Sequence, residues 1–312
     1  MRRVLAAVWL LFLASPSFAQ PSDFDAFWDT TKSELATIAP GTKLVPDAAH
    51  TDDKVSCFKV SYNSIRTAIR AWYCRPTGVG KFPAALISPW YAQDRVEPPM
   101  ALARAGVAAL AYQGRGFEVD QSSYPQENYW YVLSGILDPQ DYVYREFVSH
   151  SFRGIDFLAG RPEVDSNRIA VMGASQGGGL SLLVAGLDPR VSAVAADFPF
   201  LSDWERSLSA PNAPYAEVGK YLAEHPERRK MVLKTLSYFD TLNAAGGIKV
   251  PTLVQVGLKD RTCPPEGIKK VYARIASKKK RLKEYPNADH NNENAARWDS
   301  MTAWVIKTLT AP

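Results

Sequence analysis

From position 82 onward, short apolar runs alternate with amphipathic stretches. The runs 84–87, 107–112, 169–172, 191–195 and 252–256 are apolar on both faces and bounded by turn residues, which predicts strands buried on either side of a sheet. Between and after them, 100–105, 141–158, 176–185, 216–222 and 266–275 read as helices. A further strand pattern, 282–285, precedes a last helix. This alternation predicts an α/β protein with a mostly parallel central sheet and helices on both faces.

Two features precede that rhythm. Phe24, Phe27, Trp28, Leu35 and Ile38 fall on one helical face, and Ser22 stands three residues before Asp25 in capping-box spacing. An N-terminal amphipathic helix should therefore cover the body of the protein. The segments 55–62 and 67–73 predict a hairpin extension, with Asn63-Ser64 at its turn. Cys57 and Cys74 lie on opposite arms. They face each other if the hairpin centres between Ile65 and Arg66, and fall out of register if it turns on Asn63-Ser64, so the spacing leaves a disulfide open.

The first nineteen residues fit neither pattern. Arg2-Arg3, the apolar run 4–13, and Ser17 and Ala19 at −3 and −1 predict a secretory signal peptide cut after Ala19. That leaves one domain over 20–312 in a periplasmic or secreted protein. No later run is long or apolar enough to cross a membrane, so no membrane partner is expected after cleavage. The 312 residues are 46% hydrophobic and 22% charged, a folded globular composition that excludes disorder. The net charge of +5 falls to +3 once Arg2 and Arg3 leave, too small an excess to argue for nucleic acid. Three cysteines, with no CxxC pair and no His/Cys cluster of zinc spacing, give no reason to expect a metal. The basic run Lys278-Lys279-Lys280-Arg281 reads as a solvated connection between helix and strand.

Two aromatic-rich segments interrupt the alternation. One, 118–140, carries Tyr124, Tyr129, Trp130 and Tyr131; the other, 202–245, carries Trp204, Tyr215, Tyr221 and Tyr238. In an open parallel sheet ligands bind beyond the carboxyl ends of the strands, where such insertions sit. Their rings either wall a pocket or pack the insertions onto the core.

The sharpest chemical signal is Gly173-Ala174-Ser175-Gln176-Gly177, set between the strand 169–172 and a helix. A turn this tight strains the serine backbone and excludes side chains at both glycines, while lifting the hydroxyl to a helix N-terminus that favours negative charge. Such a serine is a candidate nucleophile and needs an imidazole base. Among His50, His150, His225 and His290, only His290 follows a suitable acid after Ser175, in the order Ser, acid, His of this arrangement. The favoured acid is Asp260, just beyond the strand 252–256; Asp289 and Asp197 compete with it. An oxyanion would be held by the Gln176 N–H and a second N–H from the segment 88–91. Pro89 has no N–H, which leaves Trp90 or Tyr91.

The stretch from Phe24 to His290 resembles the acetyl xylan esterase / cephalosporin-C deacetylase family, carbohydrate esterase family 7. The matching segments are DFDAFW near Phe24, GILDPQDYVYR around Tyr142, RPEVDSNRIAVMGASQGGGL through Ser175, LDPRVSAVAADFPFL, PYAEVGKYL, TLSYFDTLN, and VGLKDRTCPP through Asp260. The resemblance implies an α/β-hydrolase fold without a cofactor. It also implies removal of acetyl groups from small acetylated carbohydrates, xylo-oligosaccharides among them, and from cephalosporin C. A homo-oligomer, a hexamer in many members, is implied as well. It carries the nucleophile onto Ser175, the acid onto Asp260, the base onto His290, and the oxyanion donors onto the N–H groups of Tyr91 and Gln176. Three departures fall beside these residues: Pro89-Trp90-Tyr91 for His-Gly-Tyr, Arg115-Gly116-Phe117 for Arg-Gly-Gln, and His290-Asn291 for His-Glu. The rival readings are a prolyl-peptidase-like or general short-chain esterase, and a glycan-binding protein with a relic triad. About 80 residues before the first sheet strand leave no room for the propeller usual in prolyl peptidases.

Overall fold

The computed structural model describes residues 20–93, 96–114, 131–292 and 294–311. The signal-peptide expectation, Arg115-Gly116-Phe117, and Tyr124, Tyr129 and Trp130 lie outside them. Along the chain run the strands β1 (Lys43–Pro46), β2 (Val55–Ser64), β3 (Thr67–Pro76), β4 (Phe82–Ser88), β5 (Ala108–Tyr112), β6 (Val164–Ala174), β7 (Val191–Asp197), β8 (Thr252–Gly257) and β9 (Lys280–Tyr285). Among the described residues they form one nine-stranded sheet in the order β1-β2-β3-β5-β4-β6-β7-β8-β9. The first three strands and the β3–β5 junction are antiparallel, and everything from β5 to β9 is parallel.

The helices are α1 (Phe24–Thr37), α2 (Met100–Arg104), α3 (Val143–Ala159), α4 (Gln176–Leu187), α5 (Trp204–Ser207), α6 (Tyr215–Glu224), α7 (Arg229–Ser237), α8 (Thr241–Ala244), α9 (Pro265–Arg274) and α10 (Asn294–Thr310). Side chains alternate across the strands, so each strand feeds two cores. Ala84, Leu86, Ile169, Val171 and Val194 face the larger one, under α1, α3 and α4. Ala85, Ala109, Ala170, Met172 and Ala195 face the other, where Leu102 of α2 and Met301, Val305 and Leu309 of α10 cover them. This is the layered α/β arrangement the alternation predicts.

The N-terminal helix buries Phe24, Phe27, Trp28 and Leu35. Trp28 meets Phe27, Phe152 and Phe239 edge to face and donates its ring N–H to the Tyr238 carbonyl at 3.3 Å. The capping box does not form: Asp23 is the N-cap, without a side-chain cap bond. Two further points concern local chemistry. Lys280 does not lie in a solvated connection; its ammonium donates to the carbonyls of Tyr272, Ala273 and Ile275, closing the end of α9, and Arg281 belongs to β9. A cation there meets the negative end of the helix dipole. The aromatics of the second insertion mainly pack: Trp204, Tyr215 and Tyr238 are buried, with Tyr215 against Phe200 and Trp204. No helix of the described residues is long and apolar enough to cross a membrane.

The hairpin turns on Ile65-Arg66, with Arg66 at φ +61°, and not on Asn63-Ser64. That register sets Cys57 opposite Cys74, and the two form a disulfide. Their sequence separation of 17 residues constrains the unfolded chain; a loop of that size is worth about 3 kcal/mol by the chain-entropy argument. Cys263 remains as a buried thiol. Purified protein denatured without reductant should therefore titrate one thiol, whereas three would contradict the pairing.

Candidate active site

Ser175 follows β6 and opens α4 with φ +52° and ψ −118°, a conformation that costs a non-glycine residue of order 1–3 kcal/mol. Its surroundings hold it there. The Ser175 N–H donates to the Asp197 carbonyl at 2.8 Å, and the Ser175 carbonyl accepts from Phe200 at 2.9 Å and Gly179 at 3.0 Å. A Cβ at Gly177 would lie 2.2 Å from the Ser88 carbonyl oxygen, and one at Gly173 would lie 2.5 Å from Gly177 itself. No side chain fits either position, so the two glycines are what lets β4, β6 and α4 converge on the serine.

His290 arrives from the loop after β9 and Asp260 from the loop after β8. The Ser175 hydroxyl lies 3.1 Å from His290 Nε2, and His290 Nδ1 lies 2.7 Å from Asp260 Oδ2. The other Asp260 oxygen accepts the N–H groups of Thr262 and Cys263, each at 2.8 Å. Asp260 is fully buried and His290 is 18% exposed, so the carboxylate is locked while the imidazole edge stays within reach of a ligand. With a carboxylate accepting from Nδ1–H, the ring presents Nε2 as an acceptor to the serine. The Cys263 thiol also stands near Asp260 and His290. Burial pushes that thiol well up, so it keeps its proton.

The competing carboxylates point elsewhere. Asp289 is exposed and accepts the N–H groups of Asn291 and Asn292 at 2.8 and 3.0 Å, which lowers its carboxyl pKa. Asp197 is gripped by Arg297 from α10, whose Nε lies 3.2 Å from both its oxygens. The remaining histidines lie apart: His50 pairs with Asp47, His150 is buried in α3 beside Phe147 and Tyr112, and His225 ends α6.

Gln176 and the loop after β4 meet above Ser175. The Trp90 N–H donates to Gln93 Oε1 at 3.2 Å and the Ala92 N–H to the Tyr131 hydroxyl at 3.3 Å, with Tyr91 between them. The Trp90 amide is thus committed to Gln93.

The Acetyl xylan esterase (AXE1) family profile matches residues 14–308. This chain belongs to the acetyl xylan esterase family. An acetyl xylan esterase from Paenibacillus sp. R4 is 34% identical with a TM-score of 0.84, covering 93% of this chain and 96% of that one. Acetyl xylan esterase 1 from Thermoanaerobacterium sp. JW/SL YS485 is 30% identical with a TM-score of 0.82, covering 93% and 95%. Acetyl esterase Axe7A of Xylanibacter ruminicola is 29% identical over 267 residues, which are 81% of this chain and 60% of that protein. The chain therefore spans about 60% of the length of that curated relative. These similarities place the sheet and helices described above in the α/β-hydrolase fold.

Within this family chain, two charged groups near the site had no warning in the spacing of motifs. Burial pushes the Glu217 carboxyl on α6 up to about 7, against a hydrogen bond from the Tyr91 hydroxyl at 3.5 Å. Arg297 is the second. Besides Asp197, it donates to the carbonyls of His290, at 3.4 Å, and Asn292, and to Asn294 Oδ1 at 2.7 Å. Its guanidinium also covers the Phe198 ring at 3.8 Å. Arg297 thus ties the loop that carries His290 to the end of β7. Burial raises the Asp197 carboxyl to about 6 even against this partner. Both side chains of the pair are 4% exposed. Breaking a pair this buried leaves an uncompensated charge, which costs about 3–5 kcal/mol. Arg297→Met should lose that much in urea unfolding, and adding Asp197→Asn should recover part of it; an unchanged midpoint for Arg297→Met would refute the tie.

Proposed function

We propose that this chain is a serine esterase that removes acetyl groups from acetylated sugars of the xylan type. The observation that carries the reading is the run of contacts from Asp260 through His290 to the Ser175 hydroxyl at the N-terminus of α4. Membership of the acetyl xylan esterase family supports the substrate class.

The mechanism follows from those contacts. His290 Nε2 takes the hydroxyl proton as Ser175 Oγ attacks the acetyl carbonyl, and Asp260 steadies the resulting imidazolium from the Nδ1 side. The carbonyl oxygen becomes an oxyanion that accepts from the N–H groups of Gln176 and Tyr91; losing one such donor costs about 10²–10³ in rate. The sugar hydroxyl leaves with the proton from His290, and an acetyl group remains on Ser175. Water then loses its proton to His290, attacks that ester and releases acetate, returning the proton to Ser175 Oγ. A secreted or periplasmic setting is part of the proposal, resting on the signal-peptide pattern in the sequence of 1–19, and the Cys57–Cys74 disulfide supports it because such bonds persist in oxidising compartments.

Ser175→Ala should lower hydrolysis of p-nitrophenyl acetate by a factor on the order of 10⁴ or more, with the circular dichroism spectrum unchanged. Acetate release from acetylated xylan should fall in parallel. Near-normal turnover in that variant would overturn the mechanism, and preference for octanoate over acetate esters would overturn the substrate class.

A further inference from the structure

The oxyanion site requires two backbone N–H groups at a fixed spacing, yet those of Tyr91 and Gln176 belong to segments far apart along the chain. Among the described residues no strand pairing reaches the loop that carries Tyr91, which lies beyond the end of β4. We propose that the Gln176 carboxamide and the Tyr131 hydroxyl form a positioning circuit that sets the distance between the two oxyanion donors. The proposal rests on the esterase reading above.

The circuit has two arms. In the first, Gln176 Nε2 donates to the Pro89 carbonyl at 3.4 Å. In the second, the Ala92 N–H donates to the Tyr131 hydroxyl at 3.3 Å, and that hydroxyl donates to Gln176 Oε1 at 2.8 Å. Pro89 and Ala92 bracket Tyr91, so the peptide that offers the second N–H is held on both sides by the side chain of the residue that offers the first. The Tyr144 hydroxyl donates to the same Gln176 oxygen at 2.8 Å and pins the amide from α3. The Tyr131 ring lies against the Tyr91 ring, with centroids 4.4 Å apart.

Two physical features show that this loop needs holding. Ala92 has φ +54°, a left-handed conformation that persists in a non-glycine residue only when its surroundings over-determine it. Gln176 is 1% exposed and Tyr131 is 6% exposed, so water does not compete for these bonds. The chemistry also selects glutamine. The position needs an acceptor for two phenols at one end of the group and a donor for a carbonyl at the other. Glutamate accepts both phenols but, ionised, gives nothing to Pro89, and methionine fills the space with neither function. Gln176 and Tyr131 touch no reacting atom through these side chains and act by placing the amides of Gln176 and Tyr91.

The test is steady-state hydrolysis of p-nitrophenyl acetate by Gln176→Met, Gln176→Glu and Tyr131→Phe, with kcat scaled to the Ser175 sites titrated by a fluorophosphonate. A misplaced oxyanion donor weakens the transition state alone, so kcat should fall about 10- to 100-fold while KM stays within about two-fold. Protonated glutamate reproduces both arms. The activity of Gln176→Glu relative to the unsubstituted enzyme should therefore rise as pH is lowered from about 8 to about 5, while that of Gln176→Met stays flat. Tyr131→Phe keeps the ring packing, so it reports on the hydrogen bond if Gln176→Met unfolds. Turnover that depends on Ser175 but is indifferent to Tyr131→Phe and Gln176→Glu would overturn the circuit alone, as would losses confined to KM. Full turnover without Ser175 would instead overturn the esterase mechanism on which it rests.

Discussion

Ser175 stands above the sheet only because Gly173 and Gly177 let three backbone segments approach more closely than any side chain permits. The Cβ positions at these glycines would fall 2.5 and 2.2 Å from neighbouring backbone atoms. This close approach forces the serine to positive φ, points its hydroxyl at His290, and brings Ser88 and Pro89 against the first turn of α4. Ser175, the N-terminus of α4 and the loop after β4 are thus set by one packing event. The strain at Ser175 is offset by backbone hydrogen bonds to Asp197 at the end of β7, to Phe200 just beyond it and to Gly179 within α4.

The rest of the site is attached to that point from separate directions. Parallel strands deliver Asp260 and His290 to the same rim, because loops that follow adjacent parallel strands emerge on one side of a sheet. Arg297 fastens the His290 loop to Asp197, whose carbonyl also receives the Ser175 N–H. Gln176 fastens the loop after β4 on the opposite side, directly through Pro89 and by way of Tyr131. Gln176, next to Ser175, and Arg297, which contacts Asp197, therefore brace the two loops of the site, both through buried polar groups that are costly to leave unpaired.

Much of this was legible in the chain because the signals are local. The alternation of apolar runs marked β4 to β9, and a glycine-flanked serine between strand and helix marked the turn at 173–177. Where competition between register choices or donors was decided by three-dimensional contacts, the sequence was silent. The hairpin turn moved to Ile65-Arg66 because the full ten-residue pairing of β2 with β3 places both cysteines in contact. The short edge strand β1 has an exposed pattern that resembles a loop. A run of lysines is usually solvated, and it is the end of α9 that draws Lys280 onto its carbonyls. Arg297 and Tyr131 carried no motif of their own, since their roles depend on partners about 100 and 45 residues away.

The claim on which everything turns is that the strained hydroxyl of residue 175 is the group that attacks. Intact-mass and peptide analysis after reaction with a fluorophosphonate tests it most directly. The account predicts one label per chain, on the peptide containing Ser175, with loss of esterase activity in proportion to labelling. A label at another residue, or full esterase activity in fully labelled protein, would contradict it.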